Sequence, residues 1–234
     1  MAIVITLISG LAFLVGYLIT LFVKNKKKLL LFSVGFSFTV ILGLTFLHLI
    51  PEAFELVGNR FYLLIFIVIG ISMLKFLDIF VPDHGHSKKV NHMEHIGIIS
   101  GVALILHNML EGVAIYTTAL NDTKVALIMA LGVCFHNIPL GIHVSSLIKD
   151  KKNKLIMIIL LVFSCLSGVV YIEIFNIVLT NMVSGILMGI TIGMLLYISL
   201  FELYCEVVEH IKSRILHSGL IFGILIIFIG HLLH

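Results

Sequence analysis

His107-Asn108-Met109-Leu110-Glu111-Gly112 sits in the middle of a long apolar run, and so does a second stretch like it, His136-Asn137-Ile138-Pro139-Leu140-Gly141. An imidazole, an amide and a carboxylate at the centre of a membrane span are costly; insertion scales put a central Asp at about +3 kcal/mol. Such groups persist where a function needs them. His107 and Glu111 are four residues apart, so on a helix they stack on one face, one turn apart. Asn108 lies about 100° further round, and Gly112 leaves room for a neighbouring helix or an ion. Imidazole nitrogen with carboxylate oxygen suits zinc and other borderline divalent ions, and an amide can add a carbonyl oxygen. The bland reading is a polar trio that ties helices together by hydrogen bonds. A lone histidine fits that reading better than a His and a Glu on one face.

In the second stretch His143 follows His136 by seven residues and returns to nearly the same face. Pro139 has no backbone N–H and clashes with the carbonyl four residues before it. It therefore frees the Phe135 carbonyl beside His136 and predicts a bend, and interrupted helices that line cavities recur in membrane carriers.

The rest of the chain supports a bilayer setting. Its 234 residues are 60% hydrophobic and 12% charged, with a mean hydropathy of +1.21. Soluble domains carry about 25% charged residues. A spanning helix needs about 20 apolar residues, and the expected spans are 2–23, 30–50, 61–80, 97–119, 124–148, 155–178, 183–204 and 215–233. The first lacks a basic leader and runs straight into Lys24, so it reads as a span and not as a signal peptide. The fold class is an all-α integral membrane protein with eight transmembrane helices. No stretch is left for a soluble domain, so residues 1–234 read as a single transmembrane domain.

Orientation follows from the basic residues. Lys24, Lys26, Lys27, Lys28, Lys88, Lys89, Lys149, Lys151, Lys152, Lys154, Lys212 and Arg214 fall in connections on one side, and only Arg60 and Lys124 on the other. The positive-inside rule then places both termini on the extracytoplasmic side, with Lys75 snorkelling towards the basic side. The expected location is the cell membrane, crossed many times. Cys134, Cys165 and Cys205 lie in or at the end of apolar runs and read as buried small residues, not as a disulfide framework.

Further candidates lie towards the two faces. The cytoplasmic loop 81–95 carries His84, His86, His92 and His95 with Asp83 and Glu94. It reads either as a solvated loop or as a flexible metal-gathering tract, and it lacks the cysteine frame of a closed zinc site. At the outer end of the second span, His48 lies one turn deeper than Glu52, and Glu55 follows. Carboxylates at a mouth attract cations. On the seventh span Glu202, Glu206 and Glu209 share one face and lead inward. Glu173 and His231 lie near outer helix ends without a decided role, and His234 reads as a chain end. No HExxH or Walker A motif is present, which removes the zincin signature and self-powered ATP-driven transport.

These residues resemble the ZIP (Zrt/Irt-like) divalent-metal transporters over nearly the whole chain. His48-Leu49-Ile50-Pro51-Glu52-Ala53 is similar to that family's ending of the second span. His107-Asn108-x-x-Glu111-Gly112 and His136-Asn137-x-Pro139-x-Gly141 are similar to its paired HNxPEG segments, and Glu202 matches its acidic position on the seventh span. The resemblance implies a ZIP-like bundle that carries zinc, or iron, manganese or cadmium, into the cytoplasm. It implies a site shared by the fourth and fifth helices that can be binuclear. One ion would use His107, Glu111 and His136; the other would use Asn108, Glu111, Asn137 and Glu202. Two positions depart from the pattern. Leu110 stands where the first motif has proline, which implies a straighter fourth helix. Leu140 stands where the second motif has glutamate, which removes a carboxylate and implies a single-metal or weakened site, with His143 and Glu202 as partial compensation.

The expected substrate is thus a divalent ion, zinc first, with no catalytic cofactor. The bilayer is the other partner, a homodimer is compatible with such a chain, and the net charge of +3 comes from loop lysines and says nothing about nucleic acid. Two alternatives use the same residues: a non-transporting metal sensor or accessory protein, which Leu140 favours, and an intramembrane zinc hydrolase with His107, His136 and His143 as ligands and Glu111 as general base.

Overall fold

The computed structural model describes residues 1–80, 88–175 and 180–233. Among these every regular element is helical. Helix α1 is Ala2–Phe22. Helix α2 runs Lys26–Leu44, passes through a wide π-type turn at Thr45–Leu49 and continues as Ile50–Val57. Helix α3 is Arg60–Phe80, α4 is Lys88–Asn121, α5 is Thr123–Leu147 and α6 is Lys151–Phe175. Helix α7 runs Asn181–Tyr197, widens at Ile198–Leu203 and continues as Tyr204–Glu209, and α8 is Arg214–Leu233. Six of them (α1, α2, α4, α5, α6 and α7) are long and apolar enough to cross a membrane; in α8 the apolar stretch Arg214–Ile229 is shorter.

Helices start where a short polar side chain can take up free backbone N–H groups. Asn25 accepts from the Lys28 N–H at 3.0 Å, Asp122 from Lys124 at 2.8 Å and Val125 at 3.1 Å, and Asp150 from Asn153 at 2.8 Å. Helix α2 ends at Gly58, whose φ of +68° needs a residue without Cβ.

Two expectations are corrected. The loop expected over 81–95 is shorter, because α4 begins at Lys88. The residues from 88 to 95 include neither Gly nor Pro, so nothing stops the helix from extending beyond its apolar part. His92 and His95 therefore lie on the first turns of α4, while His84 and His86 fall outside the described residues. Glu52 and Glu55 lie on helix, since α2 continues to Val57. Pro139 lies inside α5, which is continuous on both sides of it.

Polar side chains are buried within an apolar core, and the surface carries many large apolar side chains. Thr6, Ser9, Ser100, Asn108, Asn137 and His143 are fully buried, whereas Ile3, Phe61, Leu131, Phe163 and Phe228 are exposed. That surface suits lipid and not water. Cys134, Cys165 and Cys205 are free thiols, of which Cys165 alone is fully buried. The helices pack most extensively as α1 with α5, α4 with α6, α2 with α8, and α3 with α7. Glycines allow the closest approaches. A methyl group on Gly112 would overlap the Cys165 backbone of α6, and one on Gly193 would overlap the Ile67 carbonyl of α3.

Candidate metal centre

The two motifs meet because α4 and α5 pack against each other. Glu111 Oε1 lies 3.3 Å from His107 Nε2 on its own helix and 3.0 Å from His136 Nε2 on α5. The ring centroids of the two histidines are 5.9 Å apart. The ligand atoms of these three side chains all lie within 4.8 Å of one another. A tetrahedral zinc ion with bonds of about 2.0–2.1 Å holds its ligand atoms about 3.3 Å apart. The group therefore needs little rearrangement to take such an ion. Both histidine Nε2 atoms converge on the one oxygen Glu111 Oε1, and Glu111 Oε2 is buried without a hydrogen bond. Two imidazole nitrogens and a carboxylate with an open oxygen, buried together, match the donor set of a divalent ion.

The asparagines beside the histidines face the other way. Asn108 Nδ2 donates to the Leu161 carbonyl at 2.9 Å and to Ser164 Oγ at 2.6 Å, both on α6. Asn137 Nδ2 donates to the Ser9 carbonyl of α1 at 3.1 Å and to Asn108 Oδ1 at 3.3 Å. The Asn pair thus ties α1, α4, α5 and α6 together behind the histidines. Both atoms of the Asn108 amide are committed to protein partners, while Asn137 Oδ1 is buried without one. Ser9 and Ser164 were not singled out by sequence reasoning; a small polar residue inside an apolar span is the signal that finds them.

A cavity of about 550 Å³ opens onto the cluster. Its walls include His48, Glu52 and Glu55 of α2, His107 and Glu111 of α4, and His136 of α5, with Met188 and Thr191 of α7. Residues expected at the outer mouth and residues expected at the centre thus line one space. The widened turn at Thr45–Leu49 precedes Glu52, and such turns often mark functional positions because they re-aim the side chains after them.

The remaining candidates lie elsewhere. Leu140 is fully buried in the main core and does not line the cavity. His143 is also fully buried, with Nε2 3.5 Å from Ser100 Oγ. Glu202 is buried within the widened turn of α7 and belongs to neither of the two metal-competent groups among the described residues. The second such group joins Glu206 and Glu209 to His210, which the sequence reading passed over although it sits four residues after Glu206. His210 Nδ1 is 3.6 Å from Glu206 Oε2.

Comparison with known proteins agrees with this chemistry. The family model of the ZIP zinc transporter matches residues 82–231. The chain is 27% identical to a zinc transporter ZupT of Clostridium perfringens, over all of this chain and 95% of that protein. It is 28% identical to one of Oceanobacillus iheyensis, over all of this chain and 97% of that protein. It is 25% identical to one of Streptococcus mutans, over 99% and 97% of the two. The matched region contains both His-Asn motifs and the helices that join them, and with this site and these apolar helices the chain belongs to the ZIP zinc transporter family, a family of membrane transporters and not of enzymes.

Proposed function

We propose that this protein carries zinc across the cell membrane into the cytoplasm through the His107–Glu111–His136 site. The observation that carries the reading is the cavity that joins Glu52 and Glu55 to the cluster. Cations collect at the acidic mouth, where the field of two carboxylates raises their local concentration. At the cluster they exchange water for two imidazole nitrogens and one carboxylate oxygen. Asn108 and Asn137 hold the ligand helices in place, and the open Oδ1 of Asn137 is a further oxygen for an ion near the site. On the inner side the ion leaves past Glu202, Glu206 and Glu209 towards the histidine-bearing segment after the third helix, with His95 on the first turns of α4.

The reading includes eight membrane-crossing helices with both termini outside. It rests there on the twelve basic residues in one set of connections against two in the other. It extends to iron, manganese and cadmium as minor substrates, since one carboxylate and two imidazoles suit several borderline ions.

Zinc uptake into proteoliposomes tests it. Wild type should accumulate zinc down an imposed gradient, and Glu111→Ala should lower the rate by about a hundredfold or more, because the site loses its only carboxylate. Uptake by Glu111→Ala at the wild-type rate would sink the assignment of the site.

A further inference from the structure

We propose that His143, oriented by Ser100, is a second stop for the metal ion, one heptad further inward than the His107–Glu111–His136 cluster. The inference rests on the transport reading above.

His143 has no solvent exposure, and its Nδ1 makes no hydrogen bond. Its Nε2 lies 3.5 Å from Ser100 Oγ, at the outer limit of a hydrogen bond. A buried polar atom without a partner costs its full desolvation, and a leucine here would carry no such cost. Beyond the one long contact with Ser100, the packing in this conformation gives no return for an imidazole at this position. In a membrane protein a group of this kind marks a pathway or a relay.

Its place in the fold says which. Helices α4 and α5 meet antiparallel, so the step from His107 back to Ser100 and the step from His136 on to His143 run in the same direction, towards the basic connections. Each step is seven residues, which is about 10 Å along a helix and returns to nearly the same face. Leu104 and Leu140, both fully buried, occupy the positions between. The cavity reaches the cluster and includes neither leucine nor His143 in its walls. An ion at the cluster thus faces a closed apolar layer one turn thick. Beyond it, on the same face, stands an imidazole with an open nitrogen.

With Nε2–H directed at Ser100 Oγ, the lone pair of Nδ1 is left for a borderline divalent ion such as zinc, and the serine fixes the tautomer. One imidazole is a weak site. Weak binding is what a transit stop needs, because the ion must leave again.

The test compares full-length wild type with His143→Leu, His143→Cys and His143→Asn in zinc-loaded and zinc-free detergent and in proteoliposomes, with Glu111→Ala as control. His143→Leu should melt at or above the wild-type temperature and keep KM within about twofold, since the outer cluster is untouched. Its kcat should fall about tenfold or more. His143→Cys, which keeps a zinc ligand, should restore part of the rate, and His143→Asn, which keeps only hydrogen bonding, should not. Wild-type kcat in His143→Leu overturns the inference, and so does rescue by Asn without rescue by Cys. If wild type is active, Glu111→Ala is silent and His143→Leu is normal, this inference alone fails. If wild type takes up no zinc, the transport reading fails and takes this one with it.

Discussion

His107 and Asn108 are neighbours in sequence with opposite orientations. The histidine faces the cavity, and the asparagine ties α4 to α6. The same division recurs at His136 and Asn137. The rotation of about 100° per residue gives each pair a cavity-facing imidazole, the proposed ligand, in front and a brace behind. The grouping of these side chains was legible in the sequence, because a His and a Glu at i and i+4 in an apolar run are costly to bury and together match the donor set of a divalent ion. That such residues can tie helices together was one reading of the sequence, but their partners were not legible, because Ser164 and the Ser9 carbonyl are remote in sequence and a backbone carbonyl has no sequence signature. Leu140 was legible as a missing carboxylate, but its fully buried position in the core was not. That position sets a prediction. Leu140→Glu puts a carboxylate on the face of His136, one turn away, where no water reaches it. Without metal the variant should be destabilised by about 1–3 kcal/mol or more, the cost of a buried polar group left unpaired. With zinc present the two carboxylates share the ion, so zinc should raise its melting temperature more than it raises that of wild type. Melting curves with and without zinc check this. An equal zinc-induced shift in both proteins would mean that the new carboxylate does not reach the ion.

At the scale of elements, close helix contacts set the geometry of the site. Gly112 follows Glu111 of the candidate site, and a Cβ there would overlap the backbone of Cys165 on α6. Backbone cannot step aside, so α4 would have to move and carry His107 and Glu111 with it. Gly101 on the same helix faces Met157, where a Cβ would come within 2.5 Å of Sδ. A methionine side chain adapts. Gly112→Ala should therefore cost about 2–3 kcal/mol, in the range of overpacking, and weaken zinc binding. Gly101→Ala should be near neutral on both counts. Thermal unfolding and zinc titration of the two variants in parallel check the contrast, and equal effects would count against it. The helices themselves were readable from length and hydropathy. The widened turns at Thr45–Leu49 and Ile198–Leu203 were not, because an added residue per turn is set by the packing around it and not by local propensity.

Across the whole molecule the glycine contacts fall into two sets. Gly10, Gly16, Gly112, Gly141 and Gly168 join α1, α4, α5 and α6 to one another; Gly35, Gly70, Gly193, Gly219 and Gly223 join α2 to α8 and α3 to α7. Each set is closely knit, and the cavity lies between them. Its acidic mouth, Glu52 and Glu55, comes from α2 in one set, and the His–Glu–His cluster comes from α4 and α5 in the other. On the proposed reading capture and binding thus fall to different helix sets, and changes to the first should leave the second intact. Glu52→Gln with Glu55→Gln removes two charges from the mouth without touching a cluster side chain. The expected result is a raised KM for zinc with kcat held near wild type. The rise should be about tenfold at low ionic strength and shrink as added salt shortens the Debye length to about 10 Å or less, since the mouth acts by long-range attraction. Uptake kinetics over a series of salt concentrations check this. A matching fall in kcat at every salt concentration would instead mean that one of these carboxylates joins the ion at the cluster.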